Sequence, residues 1–163
     1  MTLEMNNSGK GLAPPIHAPN GTTQAAALCY RVSDRGLEFL LINSSSGRWI
    51  PPKGWPINGL SLAKAAKQEA WEEAGVKKGK LHKRRLGKFK AVKHYNDGIA
   101  VPCDVHVFAL KVKKLADDFP EASKRDRVWM SPAKAAKKVT EPGLQKIILK
   151  FSPRIKRSIA DAA

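Results

Sequence analysis

Three glutamates, Glu69, Glu72 and Glu73, fall at positions i, i+3 and i+4 of one stretch, with no lysine between them. On a helix, at about 100° per residue, that spacing puts all three carboxylates within an arc of roughly 100°. Like charges so placed destabilise a helix by about 0.2–0.5 kcal/mol per pair. Only 14 acidic residues are available in the whole chain, and three of them stand on this turn. A solvated helix face would account for the spacing alone, but not for spending scarce acids against their own repulsion. A divalent cation would convert the repulsion into a binding site. Oxygen ligands without His or Cys suit a hard ion such as Mg²⁺ or Mn²⁺ and do not suit structural zinc.

The element that must carry these carboxylates is well marked. Ser61 is placed as an N-cap, alanines fill the body, and Gly75 follows Ala74 as a C-terminal stop, so the sequence predicts a helix from Ser61 to Ala74. Ala63, Ala66, Ala70 and Ala74 form an adjacent small-residue face suited to close packing on a sheet. Upstream, Thr22 to Arg31 and Leu37 to Asn43 read as strands joined by the Ser33-Asp34-Arg35-Gly36 turn. Ser44 to Gly47 reads as a loop, and Pro51 and Pro52 forbid helix between Arg48 and Gly54, leaving at most an edge strand. Downstream, the basic segment Leu81 to His94, the turn signal Asn96-Asp97-Gly98 and the β-branched run Ile99 to Val112 predict a hairpin. Arg127 to Met130 reads as a short strand, Ser131-Pro132 opens a helix to about Val139, and a last helix after Pro142 places Leu144, Ile147, Ile148 and Phe151 on one face. Five or so strands and three helices in mixed order indicate an α/β or α+β fold, a mixed sheet between helices.

At 163 residues one domain is expected. Met1 to Gly21, rich in Asn, Gly, Pro and Ser, reads as a mobile leader, 22–152 as the domain and 153–163 as a basic tail. Thirty Lys and Arg against 14 acids give a formal charge of +16, which calls for a polyanionic partner. Hydrophobic residues at 42% suffice for a packed core. No stretch approaches the roughly 20 apolar residues of a membrane-spanning helix, and two cysteines, Cys29 and Cys103, make no disulfide framework. A soluble, cytoplasmic protein with no membrane partner is the expectation.

The segment from Gly54 to Val76 resembles the Nudix box, which runs Gly, five residues, Glu, seven residues, Arg-Glu-aliphatic-x-Glu-Glu-x-Gly-aliphatic. Gly54, Glu69, Ala70, Glu72, Glu73, Gly75 and Val76 match it. Leu60 stands in place of the first Glu and Gln68 in place of the Arg. The missing Arg usually orients the helix glutamates through charge-assisted bonds, and the missing Glu supports that Arg.

The resemblance implies a Nudix-type α/β/α sandwich and hydrolysis of a phosphoanhydride with Mg²⁺ or Mn²⁺. It assigns metal binding to Glu69 and Glu73, with Glu72 as a further ligand or water-orienting group and the Lys53 backbone carbonyl beside them. Glu69 and Glu72 are the catalytic residues, and Gly54 and Gly75 frame the loop. Ala25 to Arg31, the serines 44–46 with Arg48 to Gly54, and Lys124 to Trp129 with Ser131-Pro132 are similar to the diphosphoinositol polyphosphate phosphohydrolase branch. That branch acts on diphosphoinositol polyphosphates and diadenosine polyphosphates, so the partner expected is a small, highly phosphorylated substrate. Arg48, Lys53, Lys124, Arg125 and Arg127 are the expected phosphate ligands, because guanidinium forks match phosphate oxygens. Asp97, Asp104, Asp117, Asp118 and Glu121 are all open as the general base.

Nine basic residues between Lys77 and Tyr95, with two His and no acid, read either as a solvated face or as a nonspecific nucleic-acid patch. Nucleic acid is therefore the secondary partner. The alternatives are a family hydrolase of nucleoside triphosphates, ADP-ribose or RNA 5′ ends, and a noncatalytic nucleotide- or nucleic-acid-binding module. Trp49, Trp55 and Trp71 are open between packing, anchoring a loop and stacking on a base.

Overall fold

Ala25 to Tyr30 form an unbroken run of small and apolar residues, and a strand built from them can be buried on both faces. The computed structural model, which describes residues 22–95 and 97–151, places this run in β1 (Thr22–Ser33) at the middle of an eight-stranded mixed sheet. The predicted leader 1–21, Asn96 of the turn signal and the tail 153–163 lie outside the described residues.

On one side β1 pairs antiparallel with β2 (Gly36–Asn43), which in turn pairs with β3 (Trp49–Ile50) and β8 (Arg127–Met130). β4 (Lys53–Gly54) adds to β1 at Ala25 and Ala26. On the other side β1 runs parallel to β7 (Ala100–Leu115), from Thr22 opposite Cys103 to Tyr30 opposite Lys111. β7 is long enough to hold both β5 (Val76–Leu81) and β6 (Gly87–His94) antiparallel along its far edge.

Alternation along the strands makes two cores. Ala26, Leu28 and Tyr30 of β1, with Phe39 and Leu41 of β2 and Val105, Val107 and Ala109 of β7, face α2 (Pro132–Lys138) and α3 (142–151) through Ala135, Val139, Leu144, Ile148 and Phe151. The alternate residues Ala25, Ala27 and Cys29, with Leu40, Ile42, Phe108 and Leu110, face α1 (Leu62–Ala74). The sheet is thus sandwiched between helices, as expected. Alanine meets alanine on the α1 side, where Ala63, Ala66, Ala70 and Ala74 are buried to 5% exposure or less. Small side chains let the helix lie close to the sheet, which fixes where its glutamates stand.

The hairpin β6–β7 and both C-terminal helices fall where the sequence places them. Two differences appear. The proline-rich stretch forms two strands of two residues each, tied further by the Ala27 amide donating to the Pro52 carbonyl at 2.9 Å. Residues 76–81 form β5, a strand that the lysines there disguise. Among the described residues, no helix is long and apolar enough to cross a membrane. Both cysteines are free and buried, and burial pushes the Cys29 thiol up to about 12, which leaves no thiolate for chemistry.

Candidate active site

Helix α1 is held at both ends. The Ser61 hydroxyl accepts from the Lys64 amide at 3.2 Å, satisfying one of the unpaired N–H groups of the first turn. At the other end Gly75 adopts φ 70°, and its amide returns to the carbonyls of Ala70 and Trp71. A Cβ at Gly75 would also collide with Phe119 and Arg127, so glycine is required twice over. Three carbonyls at this end are taken by the segment 116–127. Ala116 N–H donates to Gly75 O at 2.8 Å, Glu121 N–H to Glu72 O at 3.0 Å, and the Arg127 guanidinium to Ala74 O at 2.8 Å.

That arrangement positions the carboxylates. Glu69 and Glu73 are each 4% exposed, and Glu72 is half-buried. The carboxylate of Glu69 lies against Gly54, so close that a Cβ there would overlap it. The Lys53 amide donates to Glu73 Oε1 at 3.5 Å, a long bond. All three glutamates line one cavity of about 980 Å³, together with Gly54, Gln24, Gln68, the serine loop 44–46, Arg48, Lys53, Lys93, His94 and Arg125. Trp55, Pro56, Ile57 and Leu60 supply an apolar side to the same space.

The cations are fixed from outside the box. Lys53 Nζ donates to Gln24 Oε1 at 3.3 Å, and burial pulls its pKa below the ordinary lysine value against the opposing pull of Glu141. Glu141, at the start of α3, also holds Arg48, with 3.6 Å between Nη1 and Oε1. Arg125 donates to Glu121 Oε1 at 3.1 Å and to the Asn43 carbonyl at 3.3 Å, and stands 3.9 Å from Glu73 Oε1.

Two of the expected phosphate ligands do not belong to the cavity. Arg127 caps α1 through Ala74 O, stands 3.5 Å from Asp117 and stacks over Phe119 at 4.9 Å. Its guanidinium is consumed by the helix end, where a cation also complements the macrodipole. Lys124, exposed, does not line the cavity either. Arg48, Lys53 and Arg125 do. Sequence reasoning missed Gln24, Lys93 and Glu141, and it left His94, which also lines the cavity, on the surface. Nothing in their types marks them, because strand register and a distant helix bring them in. Of the acids considered for a general base, Asp97, Asp104, Asp117, Asp118 and Glu121, none lines the cavity. His82 is elsewhere, bonded to the Tyr30 hydroxyl at 2.9 Å, and its pKa is lowered by burial and by Lys80 and Lys111. Trp55 is the tryptophan that reaches the cavity, while Trp49 packs on the core.

The donor set fits a hard divalent ion: oxygen ligands only, on a rigid turn, against a glycine whose missing Cβ makes room for Glu69. Among the described residues no three acidic, His or Cys side chains are yet gathered at ligating distance.

The family model of the NUDIX domain matches residues 22–151. Diphosphoinositol polyphosphate phosphohydrolase 3-beta of Bos taurus is 35% identical over 147 residues, which cover 84% of this chain and 84% of that one. Nudix hydrolase 12, mitochondrial, of Arabidopsis thaliana is 32% identical over 119 residues, and the match spans 71% of this chain but 58% of that protein's length. Among solved structures, an Ap4A hydrolase of C. elegans has a similar fold, with a TM-score of 0.63 at 22% identity over 83% of this chain and 98% of that one. The NUDIX domain of Shewanella oneidensis NrtR, solved with ADP ribose, superposes with a TM-score of 0.62 at 18% identity over 88% of this chain and 93% of that one.

Proposed function

The chain belongs to the Nudix family, whose members hydrolyse phosphoanhydride bonds, and from that premise we propose that it is a divalent-metal-dependent pyrophosphohydrolase of small, highly phosphorylated substrates, using Mg²⁺ or Mn²⁺. The observation that carries this reading is the shared cavity, in which Glu69, Glu72 and Glu73 face Arg48, Lys53, Lys93 and Arg125. A binder of polyanions alone would gain nothing from three carboxylates on its floor, whereas a phosphoryl-transfer site needs both signs.

The ion, when bound, would polarise phosphoryl oxygens and lower the pKa of an attacking water. Glu69 and Glu73, buried and held by α1 and the 53–54 backbone, would hold it, with the Lys53 carbonyl as the further oxygen that the family resemblance offers. Glu72, the least buried of the three, would orient water and accept its proton, since among the described residues no acid outside the box lines the cavity. Arg48 and Lys53 grip the phosphates. The apolar side formed by Trp55, Pro56, Ile57 and Leu60 limits water around the reacting bond.

Diphosphoinositol polyphosphates and diadenosine polyphosphates are the two substrate classes proposed. Identity to the bovine phosphohydrolase supports the first. Trp55 and its apolar neighbours support the second, because a purine gains from such a surface and a fully phosphorylated inositol does not. A panel with Mg²⁺ or Mn²⁺, containing an inositol pyrophosphate, diadenosine polyphosphates, ADP-ribose, a nucleoside triphosphate and 5′-triphosphorylated RNA, ranks them by kcat/KM. No turnover of any member would leave the noncatalytic binding module, the reading that Leu60 and Gln68 favour. A reducing compartment such as the cytoplasm suits the two free thiols, and cell fractionation tests it.

A further inference from the structure

We propose that Arg125, anchored by Glu121, is a positioning residue for Glu73 and supplies from outside the helix the guanidinium that α1 lacks. Two glutamates buried to 4% exposure on adjacent turns need fixed partners to hold both carboxylates in one orientation. On α1 the basic residues are the exposed Lys64 and Lys67 of its first half: its last turn carries none, and position 68, one residue before Glu69, is a neutral glutamine.

The charge arrives from a segment that the backbone already docks onto the same turn. Glu121 N–H donates to Glu72 O at 3.0 Å, which fixes the start of the 121–125 turn beneath the carboxylates. Four residues on, Arg125 is held by Glu121 Oε1 at 3.1 Å and Asn43 O at 3.3 Å, its side chain only 17% exposed. Two anchors leave its Nη2 aimed at Glu73 Oε1, 3.9 Å away. Glu121 is itself 2% exposed and is not among the cavity's lining residues, and its Oε1 holds the arginine. The result is an Arg–Glu pair on a different element from the one where Gln68 and Leu60 stand, directed at the same carboxylate turn.

This inference rests on the hydrolase reading, and its test keeps the two apart. Arg125→Met should lower kcat about 10- to 30-fold with KM within about 3-fold, an effect on alignment rather than on phosphate binding. Arg125→Lys, which keeps a positive charge on the same segment facing Glu73, should hold kcat within about 3-fold of the unaltered protein. Glu121→Gln, which leaves the arginine in place but loosens its anchor, should fall between the two. Mn²⁺ binding, followed by water proton relaxation with no substrate present, should weaken several-fold in Arg125→Met and be retained in Arg125→Lys. A rise in KM with kcat unchanged would make Arg125 a phosphate ligand and overturn the proposal. A loss of kcat in Arg125→Lys as large as in Arg125→Met, or unchanged or tighter Mn²⁺ binding in Arg125→Met, would overturn it as well. Inactivity of the unaltered protein on every substrate would remove the hydrolase reading, and the Mn²⁺ titration would still decide this one.

Discussion

Two groups of positive charge among the described residues differ in everything but sign. Along β5, the 82–86 link and β6, exposed Lys77, Lys78, Lys80, Lys83, Arg84, Arg85, Lys88 and Lys90 stand out in water. In the cavity, Arg48, Lys53, Lys93 and Arg125 are fewer, and Glu141, Gln24, Glu121 and Glu73 pin three of them. Exposed charges are screened over about 8 Å at physiological ionic strength and are individually worth little. Held at the rim of a buried acidic turn, the same charges act at short range in a lower dielectric and with fixed geometry. The strip dominates the sequence, but the cavity has the geometry for chemistry.

The most severe way to break this contrast is to neutralise the wall that the cavity cations face. Glu73→Gln should reduce metal-dependent kcat/KM by about 10³-fold or more with an unchanged circular-dichroism spectrum. Retained turnover would mean that the reaction happens elsewhere. Next in size is Gly54→Ala, where the added methyl must displace the Glu69 carboxylate; about a 10²-fold loss of kcat is expected, with little change in Tm. Arg48→Ala should raise KM about 10-fold, whereas the combined Lys77→Ala, Lys78→Ala and Lys80→Ala variant should stay within about 2-fold in 0.15 M salt. Equal effects on KM would erase the distinction. The triple variant should instead flatten the salt dependence of any nucleic-acid binding.

The smallest effect concerns acid. His82 has a folded pKa lowered from its usual 6.5, so on acidification the unfolded chain binds the proton first. Stability is untouched above about pH 6.5 and declines as the pH falls below it. His82→Gln should flatten that decline, a difference in Tm below about 2 °C between pH 7 and 5.

How much of this was legible in the residues depended on how local the cause is. Helix α1 declares itself through Ser61, its alanines and Gly75, all within one stretch, and the carboxylate spacing follows from the helix. The hairpin and the proline-started α2 are likewise local. Strand β5 was hidden because Lys77, Lys78 and Lys80 make it polar, and only pairing with residues 110–115 of β7 makes it a strand. Arg125 and Arg127 look equivalent in the chain, yet they lie two apart, one at the cavity and the other at the α1 carboxyl end. Lys93 reaches the site through its register opposite Val101, and Gln24 through β1, neither of which composition records.

The parallel pairing of β1 with β7 also sets the order in which the molecule can be made. Thr22 and its partner Cys103 are 81 residues apart, so the central strand pair cannot begin to close until more than half the chain has left the ribosome. At about 5–20 residues per second that is a wait of roughly 4–16 s, during which β1 has β2 beside it but lacks β7. The two-sided apolarity that makes β1 the spine of the finished sheet makes it the segment most in need of chaperone cover while the protein is being born.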